Sequence, residues 1–256
     1  MTKTTPTSLS DISAEIKRSV SKIHCAENDP GSVAYVRDAT PKQRAEYDRR
    51  AGVPKISHAN APEFIPTDDL HFDHVMIDIE TMSLHPNNAL ILSIGMIEFD
   101  PTKTDCLIIG AQDLILPSLE QQLLLSREVS KGTQKFWREQ KSEASNHWTR
   151  EGGRTNLSAV FRTVEMFCRD KSRVWAKGTQ FDLSNLVELN RQLGGDGQDA
   201  LWHYQAPRDM RTFVKETPAT RLVPIGDALD IPGVPHEPVY DCISQAWQVW
   251  SHWNMP

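Results

Sequence analysis

The chain has 256 residues, of which 39% are hydrophobic and 24% are charged, a composition typical of a soluble globular protein. Its longest apolar run, at 89–96, is interrupted by Ser93 and Gly95 and is too short to span a bilayer. The four cysteines are scattered without a C-x-x-C pair, which argues against a zinc site or a disulfide framework. Because no apolar stretch follows the N-terminus, we predict a cytoplasmic protein without a membrane partner.

The net charge of −6 comes entirely from the second part of the chain. Residues 1–70 carry ten basic and ten acidic side chains, whereas residues 71–256 carry 18 basic and 24 acidic ones. A protein that binds duplex nucleic acid along a broad groove normally has a basic surplus, which replaces the counterions of the phosphates. The acidic balance argues against such a groove. It suits a small site whose carboxylates are neutralised by divalent metal ions, or a short substrate bound by its end.

The first seventy residues differ in composition from the rest. They are polar and dotted with prolines, with candidate helices at 11–24 and 41–50 and a linker-like segment at 52–66. We interpret residues 1–70 as a poorly structured extension, with an arm for partner binding or oligomerisation as the alternative. Residues 71–256 form the predicted folded domain.

From residue 74 onward the sequence alternates between strand-like and helix-like patterns. Strands are predicted at 74–79, 90–99, 106–116 and 173–176. Helices are predicted at 131–140, 157–168, 183–193, 209–216 and 238–253. Three consecutive strands followed by alternating helices and strands favour an α/β fold, an RNase H-like mixed sheet flanked by helices.

The first predicted strand ends in two acids that are separated by one residue. Because successive side chains of a strand point to opposite faces, Asp78 and Glu80 present their carboxylates on the same face. Two like charges this close repel each other unless a cation joins them, and oxygen ligands favour Mg²⁺ or Mn²⁺. For this pair alone, a solvent-facing strand end without a metal is the alternative.

Two further segments carry candidate groups at the starts of helices. Asp182 follows a predicted strand at the start of the next helix, where helix capping is a sufficient alternative explanation. Pro238 suits the first position of the last helix, since its missing N–H costs nothing there. His236 then lies in the preceding loop and Asp241 in the first turn, so an imidazole and a carboxylate can converge. A loop histidine beside an exposed aspartate is the alternative.

Together the three segments resemble the DEDDh exonuclease family, which is DnaQ-like and has an RNase H-like fold. The matching residues are Asp78-Ile79-Glu80-Thr81, Gly178-Thr179-Gln180-Phe181-Asp182 and His236-x-x-x-x-Asp241. The resemblance runs from about residue 72 to the C-terminus and does not include residues 1–70. Within the family the chain is similar to the phage exonuclease-A and small mycobacterial exoribonuclease group, on the motifs at 78–82, 91–95, 136–140, 174–178 and 208–212.

This resemblance implies a 3′–5′ exonuclease that releases nucleoside 5′-monophosphates from the 3′ end of single-stranded DNA or RNA. Two divalent ions, Mg²⁺ or Mn²⁺, would be held by Asp78, Glu80, Asp182 and Asp241. His236 would take the proton from the attacking water. The cytoplasm of a host cell would be its location if the gene is phage-derived.

Five residues are candidate substrate contacts. By family analogy, Thr81 and Met82 lie against the terminal nucleotide, and Phe181 is the third candidate beside the acids. Trp137 would stack on a base, with an ordinary core tryptophan as the alternative. Lys177 would touch a phosphate or remain a solvated loop lysine; the group commonly has asparagine there. A second departure is at Pro238, where the family usually has alanine.

Two other functions, and assembly into a homodimer, are also compatible with the sequence. The chain would alternatively be a catalytically idle binding or assembly module, or a proofreading subunit that docks a polymerase through residues 1–70. Trp247, Trp250 and Trp253 recur every three residues on the last helix, which is more aromatic surface than one helix needs for its own core. The outermost indole would pack against a second copy in a homodimer, or all three indoles would stay with the domain itself.

Overall fold

The computed structural model describes residues 63–64, 72–104, 106–140, 153–195, 201–216 and 236–254. Six strands form one sheet: β1 (Glu63–Phe64), β2 (His74–Thr81), β3 (Ile91–Asp100), β4 (Ile108–Ile115), β5 (Arg173–Ala176) and β6 (Pro207–Asp209). The helices of these regions are α1 (Leu119–Leu124), α2 (Lys131–Glu139), α3 (Leu157–Cys168), α4 (Asp182–Gln192), α5 (Met210–Glu216) and α6 (Pro238–Trp253). Among the described helices, none is long and apolar enough to cross a membrane.

The strand order is β1-β4-β3-β2-β5-β6. Strands β2, β3 and β4 are antiparallel neighbours, whereas β5 and β6 run parallel to β2. One face of the sheet packs with α3 and α4, and the other packs with α5 and α6. The predicted RNase H-like mixed sheet flanked by helices is thereby confirmed.

The central strand β2 divides its side chains between the two faces. Val75, Ile77 and Ile79 belong to the core on the α3 and α4 side, while Met76 belongs to the core on the α6 side. The alternation of a strand places the next two even-numbered positions on the face of Met76. The two acids at the end of β2 therefore point toward α6.

A glycine allows α6 to approach this part of the sheet. Gly95 on β3 is the register partner of Asp78 on β2. A Cβ at Gly95 would lie 2.4 Å from the carbonyl carbon of Pro238, the first residue of α6. The first turn of α6, which carries Asp241, can lie beside Asp78 because Gly95 has no side chain.

Replacing Gly95 with alanine is expected to push the start of α6 away from the sheet. The added methyl group meets backbone atoms, so it cannot be accommodated by a side-chain rotation, and overpacking of this kind costs about 1–3 kcal/mol. Urea unfolding measures that loss, and turnover is expected to fall with it. Gly132→Ala on α2 is the matched control, since the nearest atom to its added Cβ is 4.0 Å away. A Gly95→Ala protein as stable and active as the wild type would contradict the close approach.

The sequence did not predict three short elements. They are α1, with six residues, β6, with three, and β1, with two. Elements this short do not show a clear period, and β6 exists because it pairs with β5. Within the linker-like segment predicted at 52–66, Glu63–Phe64 pairs with the free edge of β4. The candidate helices at 11–24 and 41–50 lie outside the described residues.

Candidate active site

The end of β2 brings two carboxylates to the α6 face of the sheet. Asp78 and Glu80 are both half-buried. Gln245, one helical turn after Asp241 on α6, donates a hydrogen bond from Nε2 to Oδ1 of Asp78 at 2.8 Å. The register of β2 against β3 shifts between Glu80 and Thr81, and irregularities of this kind often re-aim side chains next to active sites.

Asp182 is the first residue of α4 and is buried. The residue before it, Phe181, makes no side-chain capping bond, and the Asp182 carboxylate accepts a hydrogen bond from the backbone of Ile79 on β2. The loop that leads to Asp182 is held in turn, since the N–H of Thr179 donates to Oδ2 of Asp209 at 3.0 Å. The carboxylate of Asp182 is therefore directed at the end of β2.

The start of α6 brings the histidine and the last aspartate together. Glu237 is the N-cap, and its carboxylate accepts from two backbone N–H groups of the first turn. His236 has a φ of +69°, a left-handed conformation that is uncommon outside glycine. Its backbone N–H donates to Oδ2 of Asp241 at 3.1 Å, and its Nδ1 lies 3.6 Å from Oε1 of Glu80. The contacts with Asp241 and Glu80 hold the strained backbone of His236 in place.

Two aromatic residues of α2 support the imidazole of His236. The ring centroids of Phe136 and Trp137 lie 5.2 Å and 6.0 Å from that of His236, both in edge-to-face arrangements. Trp137 is only 2% exposed, and its indole N–H donates to the carbonyl of Thr81 at 2.8 Å. Trp137 therefore occupies a core position, which was the alternative to stacking on a base. Phe136 is 38% exposed beside the site.

The carboxylates raise each other's pKa. Burial raises the pKa of Asp78 well above its usual value, and the charges of Glu80, Asp182 and Asp241 raise it further. Burial likewise raises the pKa of Glu80, followed by the charges of Asp241 and Asp182. These mutual effects place four acids within electrostatic reach of one another.

Two basic side chains lie at the margin of this acidic cluster. Burial raises the pKa of Asp182 to about 7, and the positive charge of Arg211 opposes that rise. Burial also raises the pKa of Asp241, against the hydrogen bond from the backbone of His236 and the charges of His236 and Lys177. The two bases do not cancel the charge of four ionised carboxylates, so bound cations would stabilise the ionised cluster.

The donor groups fit a divalent metal. Ligand atoms of Glu80, His236 and Asp241 all lie within 4.8 Å of one another. The surrounding donors are carboxylate oxygens, which hard cations such as Mg²⁺ and Mn²⁺ prefer. A cation here would offset the mutual repulsion that raises the pKa values of the acids.

The predicted substrate contacts have different environments. Thr81 is buried, with Oγ1 donating to the carbonyl of Ser83 at 2.7 Å, and Met82 is buried in a small cluster that includes Trp137. Phe181 and Lys177 are half-buried. Contact between these side chains and a nucleotide stays a prediction.

Sequence reasoning missed two residues that contact the candidate catalytic groups. Gln245, bonded to Asp78, follows Asp241 by four residues, so the helical repeat alone would have placed it on the same face. Phe136 was noted only as part of a family motif. No sequence pattern indicates that its ring faces His236, because that contact joins α2 to a loop one hundred residues later.

Solved structures of Escherichia coli exonuclease I are similar to this chain. The complex with a 5cy-dA13 oligonucleotide aligns with a TM-score of 0.48 at 14% identity, over 69% of this chain and 39% of the other. The zinc-bound complex with single-stranded DNA aligns with a TM-score of 0.47 at 10% identity, over 71% and 39%. The chain thus spans about two fifths of the length of these proteins.

Sequence comparison gives a more direct assignment. Among curated proteins, none matches the chain significantly. The sequence profile of one family, described as the 3′–5′ exoribonuclease Rv2179c-like domain, matches residues 73–253, from the start of β2 to the end of α6. This span contains both acids of β2, Asp182 and the start of α6. The chain belongs to the 3′–5′ exoribonuclease Rv2179c-like domain family.

Proposed function

We propose that this 3′–5′ exonuclease releases nucleoside 5′-monophosphates from single-stranded nucleic acid by two-metal-ion hydrolysis. The observation that carries the proposal is the convergence of four carboxylates whose charges raise each other's pKa. Such a cluster is unfavourable without cations, and the profile match assigns the span that contains it to an exonuclease family.

The ligands of the proposed ions come from three separate elements. Asp78 would contact both ions, Glu80 and Asp241 would complete one, and Asp182 would support the other directly or through water. A pair of such ions, when bound, stabilises the attacking and the leaving oxygen of an in-line phosphoryl displacement. Gln245 holds the Asp78 carboxylate through its 2.8 Å hydrogen bond, so this carboxylate is oriented before any metal binds.

His236 is the proposed general base. Its side chain is 42% exposed, so water can reach the imidazole, while the edges of Phe136 and Trp137 limit its movement. A neutral imidazole can accept the proton of the attacking water. The carboxylate of Glu80 lies 3.6 Å from Nδ1 and would help to orient the ring.

The proposed substrate is a single strand bound by its 3′ end, and the family description makes RNA the first substrate to test. Lys177, whose charge acts on Asp241, is the proposed contact to a phosphate near the scissile bond. The acidic balance of residues 71–256 is consistent with a short contact rather than a long groove.

End-labelled oligonucleotides test this function. With Mn²⁺ or Mg²⁺, 5′-labelled single-stranded RNA or DNA should shorten progressively from the 3′ end, and EDTA should stop the reaction. A circular single strand is the control, because it offers no end and should remain intact. Cleavage of the circle, or intact linear RNA and DNA under all metal conditions, would contradict the proposal.

A homodimer through the last helix also remains a proposal. Trp253 packs inside its own domain, with its ring 5.3 Å from His74 and 5.9 Å from Phe213, and the guanidinium of Arg173 lies 5.2 Å above it. The half-buried indole leaves limited surface for a second copy. If a dimer uses that surface, Trp253→Ser should weaken self-association in light scattering at low concentration. A wild-type protein that is monomeric at high concentration would exclude the dimer.

A further inference from the structure

A buried arginine holds the loop that follows β2. Arg127 is 3% exposed. Its Nε and Nη2 atoms donate to the carbonyl of Ala89 at 3.0 Å and 2.7 Å, and Nη1 donates to the carbonyl of Asn87 at 3.0 Å. In the described part of the chain no carboxylate forms an ion pair with this guanidinium. Its partners are the loop backbone and Asn185, whose side-chain amide oxygen accepts at 2.8 Å and whose backbone carbonyl accepts at 3.4 Å.

Asn185 completes the contact from the other side. It is fully buried on α4, and its Oδ1 accepts from the N–H of Ala89 at 2.8 Å as well as from Arg127. Its Nδ2 donates to the carbonyls of His85 at 3.3 Å and Pro86 at 3.1 Å. Every polar atom of this amide is therefore used to hold the loop, the arginine or its own helix.

These contacts join two elements of the candidate active site. The loop at 83–89 leaves β2 three residues after Glu80, and Asn185 lies one helical turn after Asp182. Arg127 and Asn185, which we call the clamp, thus connect the strand that carries Glu80 to the helix that carries Asp182. A buried charge without an ion-pair partner is expensive in stability, so the gain from this arrangement is a defined geometry.

We propose that the clamp fixes the 83–89 loop as one wall of the pocket that receives the terminal nucleotide. The inference rests on the proposed function, since the pocket is that of the exonuclease substrate. Neither clamp residue contacts the carboxylate cluster, so both are positioning residues. The metal ligands have hydrogen bonds of their own, from Gln245 to Asp78, from the backbone of His236 to Asp241 and from the backbone of Ile79 to Asp182. When the clamp is loosened, the wall is therefore expected to move further than the metal ligands and His236. Substrate binding should then weaken while the chemical step stays nearly unchanged.

Asn185→Asp is the sharpest test. It keeps an acceptor for Ala89 and Arg127, and it removes the donor that holds His85 and Pro86. We expect the KM for a short oligonucleotide to rise about tenfold with kcat within about twofold, the pattern of lost binding rather than lost catalysis. Manganese affinity, measured by calorimetry without substrate, should not fall, because the added carboxylate near Asp182 favours a bound cation. Hydrogen exchange of the 83–89 amides should become faster.

Arg127→Lys provides a second variant, and Arg154→Lys is its control. Arg154 also donates to two backbone carbonyls, those of Leu92 at 3.1 Å and Pro117 at 3.0 Å, but it does not contact the 83–89 loop. Both lysine variants should lose stability in urea unfolding. Only Arg127→Lys should raise the KM.

Two results would overturn the clamp. A folded Asn185→Asp protein with a wild-type KM would show that the loop does not contribute to substrate binding. An equal rise of the KM in Arg154→Lys would show that general loss of stability is the cause. These results are distinct from failure of the proposed function, because that failure would appear as an inactive wild-type protein in the same assay.

Discussion

Asp78→Ala is expected to lower turnover at saturating Mn²⁺ by roughly 10²–10³-fold or more, the range for loss of one group that stabilises transition-state charge. Asp78 lies within electrostatic reach of Glu80, Asp182 and Asp241. Its removal should therefore disturb both proposed ions. Single-turnover hydrolysis of an end-labelled strand measures the effect.

The same position should behave in the opposite way for stability. Burial and neighbouring charges raise the pKa of Asp78 in the folded protein, so the ionised carboxylate destabilises the metal-free fold at neutral pH. The Asp78→Asn protein should therefore melt at a higher temperature than the wild type in EDTA. That difference should shrink as the pH falls through the usual value of 3.8, because below it the carboxyl group is protonated in both the folded and unfolded states.

Asp170→Asn is a suitable control for both measurements, since Asp170 is exposed in the turn after α3. It should change neither the turnover nor the melting temperature in EDTA. Wild-type turnover of Asp78→Ala at saturating Mn²⁺ would show that the two-metal assignment is wrong. A melting temperature of Asp78→Asn below that of the wild type in EDTA would show that the carboxylate cluster does not carry the repulsion described above.

Loss of the imidazole is the second large effect. His236→Ala should lower kcat by about 10²–10⁴-fold, the contribution of a general base, with metal affinity nearly unchanged. His236 has a φ of +69°, so alanine adds backbone strain to the loss of the base. His236→Asn separates the two, because asparagine tolerates the left-handed region without supplying a base. Both variants should be slow, and the asparagine variant should keep wild-type stability.

Metal titration distinguishes a base from a ligand. The imidazole nitrogen lies close enough to Glu80 and Asp241 to share a cation with them. If His236 were a ligand, the asparagine variant would need more Mn²⁺ and would recover its turnover at saturation. If it is the base, turnover stays low at any metal concentration. His203→Asn, at an exposed histidine after α4, should leave both quantities unchanged.

The local placement of the acids could be predicted from the sequence. The spacing of Asp78 and Glu80 on a strand fixes a shared face, and Pro238 at the start of α6 puts Asp241 in the first turn. The bounds of three elements, β5, α3 and α6, agree with the predicted ones to the residue. Local rules suffice for these because each depends on neighbours within one turn or one strand.

The long-range contacts could not be predicted in this way. The Gly95–Pro238 approach, the ring of Phe136 beside His236 and the bonds of Arg127 join segments far apart in the chain. A single sequence shows a glycine in a strand or an arginine in a loop, but it does not show which backbone lies opposite. These contacts decide how the acids are brought together, which the spacing of the acids alone does not define.

Strand β1 has a consequence for handling the protein in solution. Glu63 and Phe64 pair with Ile108 and Ile109 along the outer edge of β4. A recombinant chain that begins at residue 72 would lack β1 and would leave the backbone N–H and C=O groups at this edge of β4 uncovered. Bare strand edges recruit other strands, including those of identical molecules, and cause aggregation. A trimmed version intended for crystallisation should therefore begin well before Glu63 if it is to stay dispersed at high concentration.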